Sequence, residues 1–251
     1  MEKLTIFRKF ILILSILLLP VSAFALKNEK VGSPVTFQTS DGVIIYGTYQ
    51  PPAGPGMKTF VLLHGLGSTN EEWNTFGVRL ARAGYGYLSY DARGHGKSTF
   101  TKSGKQISYE NFTKEQWNRM VSDVGDAINF LVNEKKLKAG KIGLMGASIG
   151  ANISLLYATS NETVPMVILL SPGVNYVVFN ISGAINSFKK RPVAIAASPN
   201  DNYAFQSSQL LFKQIQSNPR ASMITGEKGH GVDMFAGNKF MKELFTWIRN
   251  N

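Results

Sequence analysis

One serine enclosed by small residues constrains this chain more than any other feature. The run 141–151 has the sequence KIGLMGASIGA, and its centre, Gly146–Gly150, has the pattern Gly-x-Ser-x-Gly. An apolar stretch typical of a strand precedes it, and a stretch typical of a helix follows. At so sharp a turn, a side chain at either glycine would collide with the neighbouring strand or helix. The pattern therefore predicts a strand, a tight turn at Ser148 and a helix.

The same turn favours a reactive hydroxyl at Ser148. A serine at a strained strand-to-helix turn has its side chain pushed outward. The helix that follows directs free N–H groups and the positive end of its dipole to the same place, which favours an oxyanion. A tight turn with Ser148 as an ordinary helix N-cap is the alternative interpretation. A catalytic interpretation requires a base, an acid and oxyanion donors elsewhere in the chain.

Strand-like and helix-like stretches alternate along the chain. Thr59–Leu63 is almost wholly apolar, as in a strand buried on both faces, whereas Gln116–Lys136 has apolar residues at helical spacing. Val35–Thr39 and Val43–Tyr49 flank a turn dipeptide and predict a hairpin. We therefore expect an α/β fold with a mostly parallel central sheet, an N-terminal antiparallel hairpin and helices on both faces.

Five segments together resemble the α/β-hydrolase superfamily, most closely its serine aminopeptidase-like and monoacylglycerol-lipase-like branch. They are Leu63–Gly65, Asp91–Ser98, the elbow Gly146–Gly150, the strand-end Asp201 and the late Gly229–Gly231. The resemblance covers nearly all of the chain after residue 25 and implies one hydrolase domain over 26–251. The irregular stretch Val174–Lys190 is short where many relatives carry a helical lid, so we expect a minimal lid.

The order of three residues along the chain assigns catalytic roles. Ser148 is the candidate nucleophile, and a serine hydroxyl needs an adjacent base. His230 follows the last predicted strand, where the resemblance places the base. Asp201, also at a strand end, is the candidate acid that orients the imidazole, and the order Ser148, Asp201, His230 is that of this fold. The alternative candidates for the acid are Asp91, which comes early in the chain, and Asp233, three residues after His230.

Backbone groups are expected to form the oxyanion hole. The N–H of Ile149, the residue after the nucleophile, is one donor, and the N–H of Leu66 is the other. The resemblance gives His64 a structural role in shaping the second loop, and His95 is expected to hold the loop after the next strand. Neither histidine has a second ligand at metal-binding spacing, so we expect no metal and no cofactor.

Further side chains carry less specific signals. Four apolar residues are candidates to flank the site, and ordinary core is the alternative for each; they are Leu66, Met145, Met234 and Phe235. Asp123 and Asp126 lie on a predicted amphipathic helix and are interpreted as solvent-exposed. The other substrate-binding residues stay unassigned.

Charge and the first residues bear on location and partners. The formal net charge is +11, which favours association with an anionic envelope surface, but no basic stripe interleaved with aromatics indicates nucleic-acid binding. Lys3, Arg8 and Lys9 precede the apolar run Phe10–Leu19, and Ala23-Phe24-Ala25 follows as a cleavage site, so residues 1–25 are predicted to be a secretory signal peptide. An uncleaved anchor is the alternative. We expect a monomer in a bacterial periplasm or secreted.

These observations favour a serine hydrolase that cleaves carboxylic esters through an acyl-enzyme, acting on a small-molecule ester or acyl substrate. An acyltransferase or a peptidase would use the same three residues. A catalytically silent binding protein of this fold is the third alternative.

Overall fold

The computed structural model describes residues 31–188 and 190–251, so the predicted signal peptide lies outside the described residues and the predicted domain bounds stay predictions. The described strands are β1 Ser33–Gln38, β2 Ile44–Gln50, β3 Thr59–Leu63, β4 Gly86–Tyr90, β5 Ile142–Ala147, β6 Val167–Leu170, β7 Asn175–Tyr176, β8 Phe179–Asn180, β9 Val193–Ala197 and β10 Ala221–Thr225. The described α-helices are α1 Asn74–Arg82, α2 Lys114–Asn133, α3 Ile149–Ser160, α4 Asn202–Ile215 and α5 Asn238–Asn250.

Eight of these strands form one sheet in the order β1-β2-β4-β3-β5-β6-β9-β10. The pairs β1–β2 and β2–β4 are antiparallel, whereas the pairs from β4 to β10 are parallel. Gly42 lies in the β1–β2 turn with a φ of 91°, a left-handed conformation that glycine adopts without steric cost. The predicted fold class, a mostly parallel sheet that begins with an antiparallel hairpin, is confirmed.

Alternate residues of the central strands enter two hydrophobic cores on opposite faces of the sheet. Val61 and Leu63 of β3 pack with α2, α3 and α4 on one face. Phe60 and Leu62 pack with α1 and α5 on the other face. All of β3 is buried, as the unbroken apolar run predicts for a strand covered on both sides.

Two helix starts differ from the predicted ones, and a capping box explains the second. The predicted helix from Glu71 begins as a 3-10 turn at Asn70–Trp73 and becomes α-helical only at Asn74. Helix α2 begins before Gln116 because Thr113 and Gln116 form a capping box, in which each side chain accepts a hydrogen bond from the other's backbone N–H.

The segment between β6 and β9 is short and is bonded to helix α3. It carries the β7–β8 ribbon and a 3-10 turn at Ala184–Ser187, and its described residues include no α-helix. The amide of Asn152 in α3 donates to the carbonyls of Gly173 and Phe179 at 2.7 and 3.2 Å, which ties the ribbon to the helix behind it. This agrees with the expected minimal lid. Of the helices the structure describes, none is both long and apolar enough to cross a membrane.

Candidate active site

The elbow forms as the glycine pattern predicts. Ser148 stands between β5 and α3 with φ 55° and ψ −121°, a conformation that non-glycine residues seldom adopt. A Cβ at Gly146 would lie 2.1 Å from the carbonyl oxygen of Gly150, and one at Gly150 would lie 2.4 Å from that of Leu63. Both glycines are therefore required by the close approach of backbone to backbone.

The side chain of Ser148 does not serve as a helix cap. It occupies the N-cap position of α3 but makes no capping hydrogen bond, while its backbone N–H donates to the Leu170 carbonyl on β6 at 2.8 Å. Ser148 is half-buried between the buried residues Ala147 and Ile149. The geometry thus argues against the simple N-cap interpretation, because the hydroxyl is presented at the carboxyl edge of the sheet.

An imidazole and a carboxylate meet at the same edge. Asp201 directly precedes α4, His230 follows β10, and the His230 Nδ1–H donates to Asp201 Oδ2 at 2.7 Å. A carboxylate can only accept a hydrogen bond, so Nδ1 carries a hydrogen, and in the neutral imidazole Nε2 then has a free lone pair. The His230 side chain is 45% exposed and that of Asp201 16%. The rival Asp233 is exposed to solvent.

The His230 loop lies close to the elbow and is bonded to the neighbouring strand end. The N–H of Gly231 donates to the hydroxyl of Ser171, which directly follows β6, at 2.9 Å. A Cβ at Gly231 would lie 3.2 Å from the Cβ of Ala147. Gly231 therefore lies next to Ala147 with no room for a larger side chain between them, and the structure brings Ser148, Asp201 and His230 to one edge of the sheet.

The loop after β3 lies on the other side of Ser148. A Cβ at Gly65 would be 3.6 Å from the Cβ of Ser148. Within the described part of the chain, the amides of Leu66 and Ile149 donate to no protein acceptor. The two predicted oxyanion donors therefore have no competing protein acceptor, and their role stays a prediction.

Glu72 holds this loop, and the sequence interpretation missed it. Its carboxylate accepts the Gly65 N–H at 3.0 Å. Burial raises the pKa of Glu72, and hydrogen bonds from Ser68 and Gly65 offset part of that rise. The available signal was the capping-box spacing from Thr69 to Glu72, which points to a helix start rather than to a loop contact.

His64 and His95 have the structural roles expected of them. The Nε2 of His64 accepts the Ala92 N–H at 2.9 Å, and its Nδ1 donates to the Gly65 carbonyl at 2.7 Å. Burial lowers the pKa of His64 to about 4, so the ring is neutral. The Nδ1 of His95 bonds to the Arg93 carbonyl at 3.0 Å. The two rings link the loops that follow β3 and β4.

The interpretation of Asp123 as solvent-exposed is wrong. Asp123 is 1% exposed, because α2 turns this residue toward the loop after β4, where it is ion-paired with Arg93. Burial raises the pKa of Asp123 to about 6 despite that partner. Arg93 also binds both carboxylate oxygens of Asp41 at 2.9 Å and lowers the pKa of Asp41 to about 2.

Three of the four apolar candidates belong to the core. Met145 and Met234 are fully buried, and Phe235 stacks on Phe76 with ring centroids 4.4 Å apart. Leu66 is 48% exposed and stays a candidate to flank the site. A cavity of about 720 Å³ lies over β1 and β2, away from the elbow, and its lining includes none of Ser148, Asp201 and His230.

Comparison with known proteins agrees with this architecture. Residues 55–227 match the family described as serine aminopeptidase, S33. A Methylorubrum extorquens protein named "Putative carboxymethylenebutenolidase" is 27% identical over 172 residues, 68% of this chain and 57% of the relative, so the match spans little more than half of that relative's length.

Solved structures extend the likeness to nearly the whole chain. An esterase of Pyrococcus furiosus superposes with a TM-score of 0.71 at 18% identity, over 90% of this chain and 94% of the other. An esterase of Exiguobacterium antarcticum gives a TM-score of 0.63 at 17% identity, over 86% of this chain and all of the other. The fold is that of an α/β-hydrolase. Since the family match covers more than half of its length, the chain belongs to the serine aminopeptidase S33 family.

Proposed function

We propose that the protein is a serine hydrolase that cleaves carboxylic esters through an acyl-enzyme. One observation carries the proposal. Asp201 holds His230 by Nδ1 at 2.7 Å, which leaves Nε2 free at the edge of the sheet where Ser148 stands on a strained turn. A serine beside an oriented imidazole is the arrangement that nucleophilic acyl transfer requires.

The mechanism follows from these positions. Ser148 Oγ attacks the ester carbonyl carbon while His230 Nε2 takes the hydroxyl proton, and the Leu66 and Ile149 amides stabilise the oxyanion. His230 then protonates the leaving oxygen as the C–O bond breaks, leaving the acyl group on Ser148. Water, deprotonated by His230, attacks the acyl-enzyme and releases the carboxylic acid. Asp201 keeps the imidazole in the required tautomer throughout.

Peptide or acyl-transfer chemistry is the second candidate. The family description names an aminopeptidase, which favours an amide substrate. The names of the solved structures include two esterases, and a butenolide is a cyclic ester, which favours an ester. The same three residues would serve each reaction. Product analysis with added amine and alcohol acceptors, together with a peptide panel, separates the candidates.

The proposal is tested with a short-chain aryl ester and a fluorophosphonate probe. The purified protein should hydrolyse the ester and label at Ser148, and Ser148→Ala should abolish both. Ser103→Ala, at an exposed loop serine, is the matched control and should keep both activities. Retained hydrolysis by Ser148→Ala would refute the nucleophile, and failure of the parent protein to label would favour a silent binding protein.

We further propose that the protein is exported to a bacterial periplasm or medium as a monomer associated with anionic surfaces, and that it binds a small-molecule acyl substrate but no nucleic acid. The formal charge of +11 supports association with anionic surfaces, the N-terminal sequence supports export, and the lack of a basic stripe interleaved with aromatics supports the absence of nucleic-acid binding. Cell fractionation of the chain with and without residues 1–25 tests export. Recovery of both forms in the same compartment would contradict it.

A further inference from the structure

A tyrosine on the β7–β8 ribbon contacts the loop that follows β6. Tyr176 ends β7, and Val177, at the ribbon's turn, has a φ of 52°. The rings of Tyr176 and Tyr203 pack edge to face with centroids 5.6 Å apart. A Cβ at Gly173 would lie 2.7 Å from both rings, so the rings fill the space that a side chain at position 173 would need. The tyrosine is therefore held in place by packing.

The hydroxyl of Tyr176 lies between the two loops of the site. It donates to the Ser171 carbonyl at 3.3 Å. The hydroxyl of Ser171 accepts the N–H of Gly231, beside His230, and the carbonyl of the preceding residue accepts the N–H of Ser148. Burial raises the pKa of Tyr176, and hydrogen bonding with the Ser148 side chain lowers it and offsets part of that rise. The phenol is thus bonded to Ser171, which lies next to the partner of the Ser148 N–H and bonds to the residue after His230.

The sheet order shows on which side of Ser148 the Tyr176 phenol lies. The strand β3, whose following loop carries Leu66, lies on one side of β5, and β6, β9 and β10 lie on the other. Tyr176 follows β6, so it shares the side of His230 and lies opposite the oxyanion loop. In acyl transfer, the leaving group departs on the side of the histidine that protonates it.

The phenol is suited to donate a hydrogen bond without losing its proton. Burial, with the nearby charge of Asp201, raises the pKa of Tyr176 to about 12, so the hydroxyl keeps its hydrogen at neutral pH. Its present bond to Ser171 is long for an O–H···O contact, at 3.3 Å, and is therefore weak. A substrate oxygen at closer range can take that hydrogen bond.

We propose that the Tyr176 hydroxyl donates a hydrogen bond to the leaving-group oxygen as the tetrahedral intermediate collapses. The inference rests on the proposed function. In this step the bond from the carbonyl carbon to the leaving oxygen breaks, and its electron pair goes to that oxygen. His230 Nε2–H transfers its proton there, while Tyr176 keeps its own proton and stabilises the developing charge. Substrates with poor leaving groups depend most on this donor.

A leaving-group series tests the inference. Tyr176→Phe keeps the ring and removes the hydroxyl. The variant should lose about 10- to 100-fold in kcat/KM on alkyl acetates, as expected for one lost hydrogen bond to a charged group. On p-nitrophenyl acetate the loss should be less than about 3-fold, since a stable phenolate leaves with little help from a donor. The dependence of rate on leaving-group pKa should therefore become steeper.

Tyr203→Phe is the matched control. Its hydroxyl donates to the Asn175 carbonyl at 2.8 Å and accepts the Asn175 N–H at 3.0 Å, so its loss should affect all esters alike. A Tyr176→Phe variant with the parent's leaving-group dependence would overturn the inference and leave the proposed function standing. If the parent protein neither labels with the fluorophosphonate nor hydrolyses any ester, the proposed function fails instead.

Discussion

At the scale of single residues, one local geometry explains both the strained backbone of Ser148 and the lack of a capping bond from its side chain. A left-handed φ of 55° at a non-glycine residue persists only where surrounding contacts enforce it. Here the enforcing contacts are the Ser148 N–H bond to Leu170 and the close approach of Gly150 to the backbone of β3. The same geometry keeps the hydroxyl from capping α3, so it remains available for reaction.

The identity of the acid gives a prediction at this scale. Asp201→Asn should lower kcat by about three to four orders of magnitude, because an amide would favour the wrong imidazole tautomer. Steady-state kinetics on an aryl ester measures this. Asp233→Asn, an exposed carboxyl three residues after His230, is the control and should change kcat by less than about 3-fold. The opposite result would move the acid to Asp233.

At the scale of elements, the junction of β5 with α3 depends on a glycine, because there is no room for a side chain. A methyl group at Gly146 meets the backbone of α3 at 2.1 Å, and backbone cannot give way as the end of a long side chain can. The strand and the first turn of the helix would have to move apart. The elbow is therefore a packing requirement of the fold as well as a feature of the site.

Two alanine substitutions test this requirement. Gly146→Ala should lower the free energy of unfolding by about 1–3 kcal/mol or more, as overpacking does. Gly54→Ala, where nothing lies within 4 Å of the added methyl group, should change it by less than about 0.5 kcal/mol. Urea denaturation measures both. Equal stability of the two variants would show that the elbow relaxes to admit a side chain.

At the scale of the whole molecule, one arginine joins three parts of the fold. Arg93, in the loop after β4, binds Asp41 in the β1–β2 turn and Asp123 in α2. The side chains of Arg93 and Asp123 are 5% and 2% exposed, so neither charge is well solvated. The network thus ties the antiparallel hairpin to the parallel part of the sheet and to a covering helix.

Removal of the Arg93 guanidinium should lower the free energy of unfolding. Arg93→Leu leaves Asp123 buried without its partner and should destabilise the protein by about 3–5 kcal/mol near neutral pH. Arg119→Leu, in an exposed pair with Glu115, is the control and should cost less than about 0.5 kcal/mol. Chemical denaturation measures both variants.

The Arg93→Leu defect should also depend on pH. Burial raises the pKa of Asp123 to about 6, and the pKa rises further without Arg93. When a carboxyl has a higher pKa in the folded than in the unfolded state, its protonated form stabilises the folded protein below the unfolded-state pKa. This stabilisation is lost as the pH rises through the folded-state pKa. The defect should therefore be smaller near about pH 5 than near about pH 8. An equal defect at both pH values would show that Asp123 does not change its protonation state between them in the variant.

Much of the fold and part of the site could be predicted from local patterns. Apolar runs such as Thr59–Leu63 indicate buried strands because burial on both faces excludes polar residues. The glycines of the elbow predict a close backbone approach because no other residue fits there. The positions of Asp201 and His230 follow from the rule that loops at the carboxyl ends of strands meet. Their catalytic roles stay a prediction.

Contacts between distant segments could not be predicted in this way. Amphipathic spacing places Asp123 on α2 but does not show what covers that face, and only packing brings Arg93 to it. Glu72 and Tyr176 carry no recognisable motif for their contacts with Gly65 and Ser171. The chain's own pattern settles which stretches are strands, turns and helices, since backbone sterics and apolar periodicity act over neighbouring residues. Which polar groups face one another depends on how the layers pack, because their energies come from burial and from partners far away in the chain.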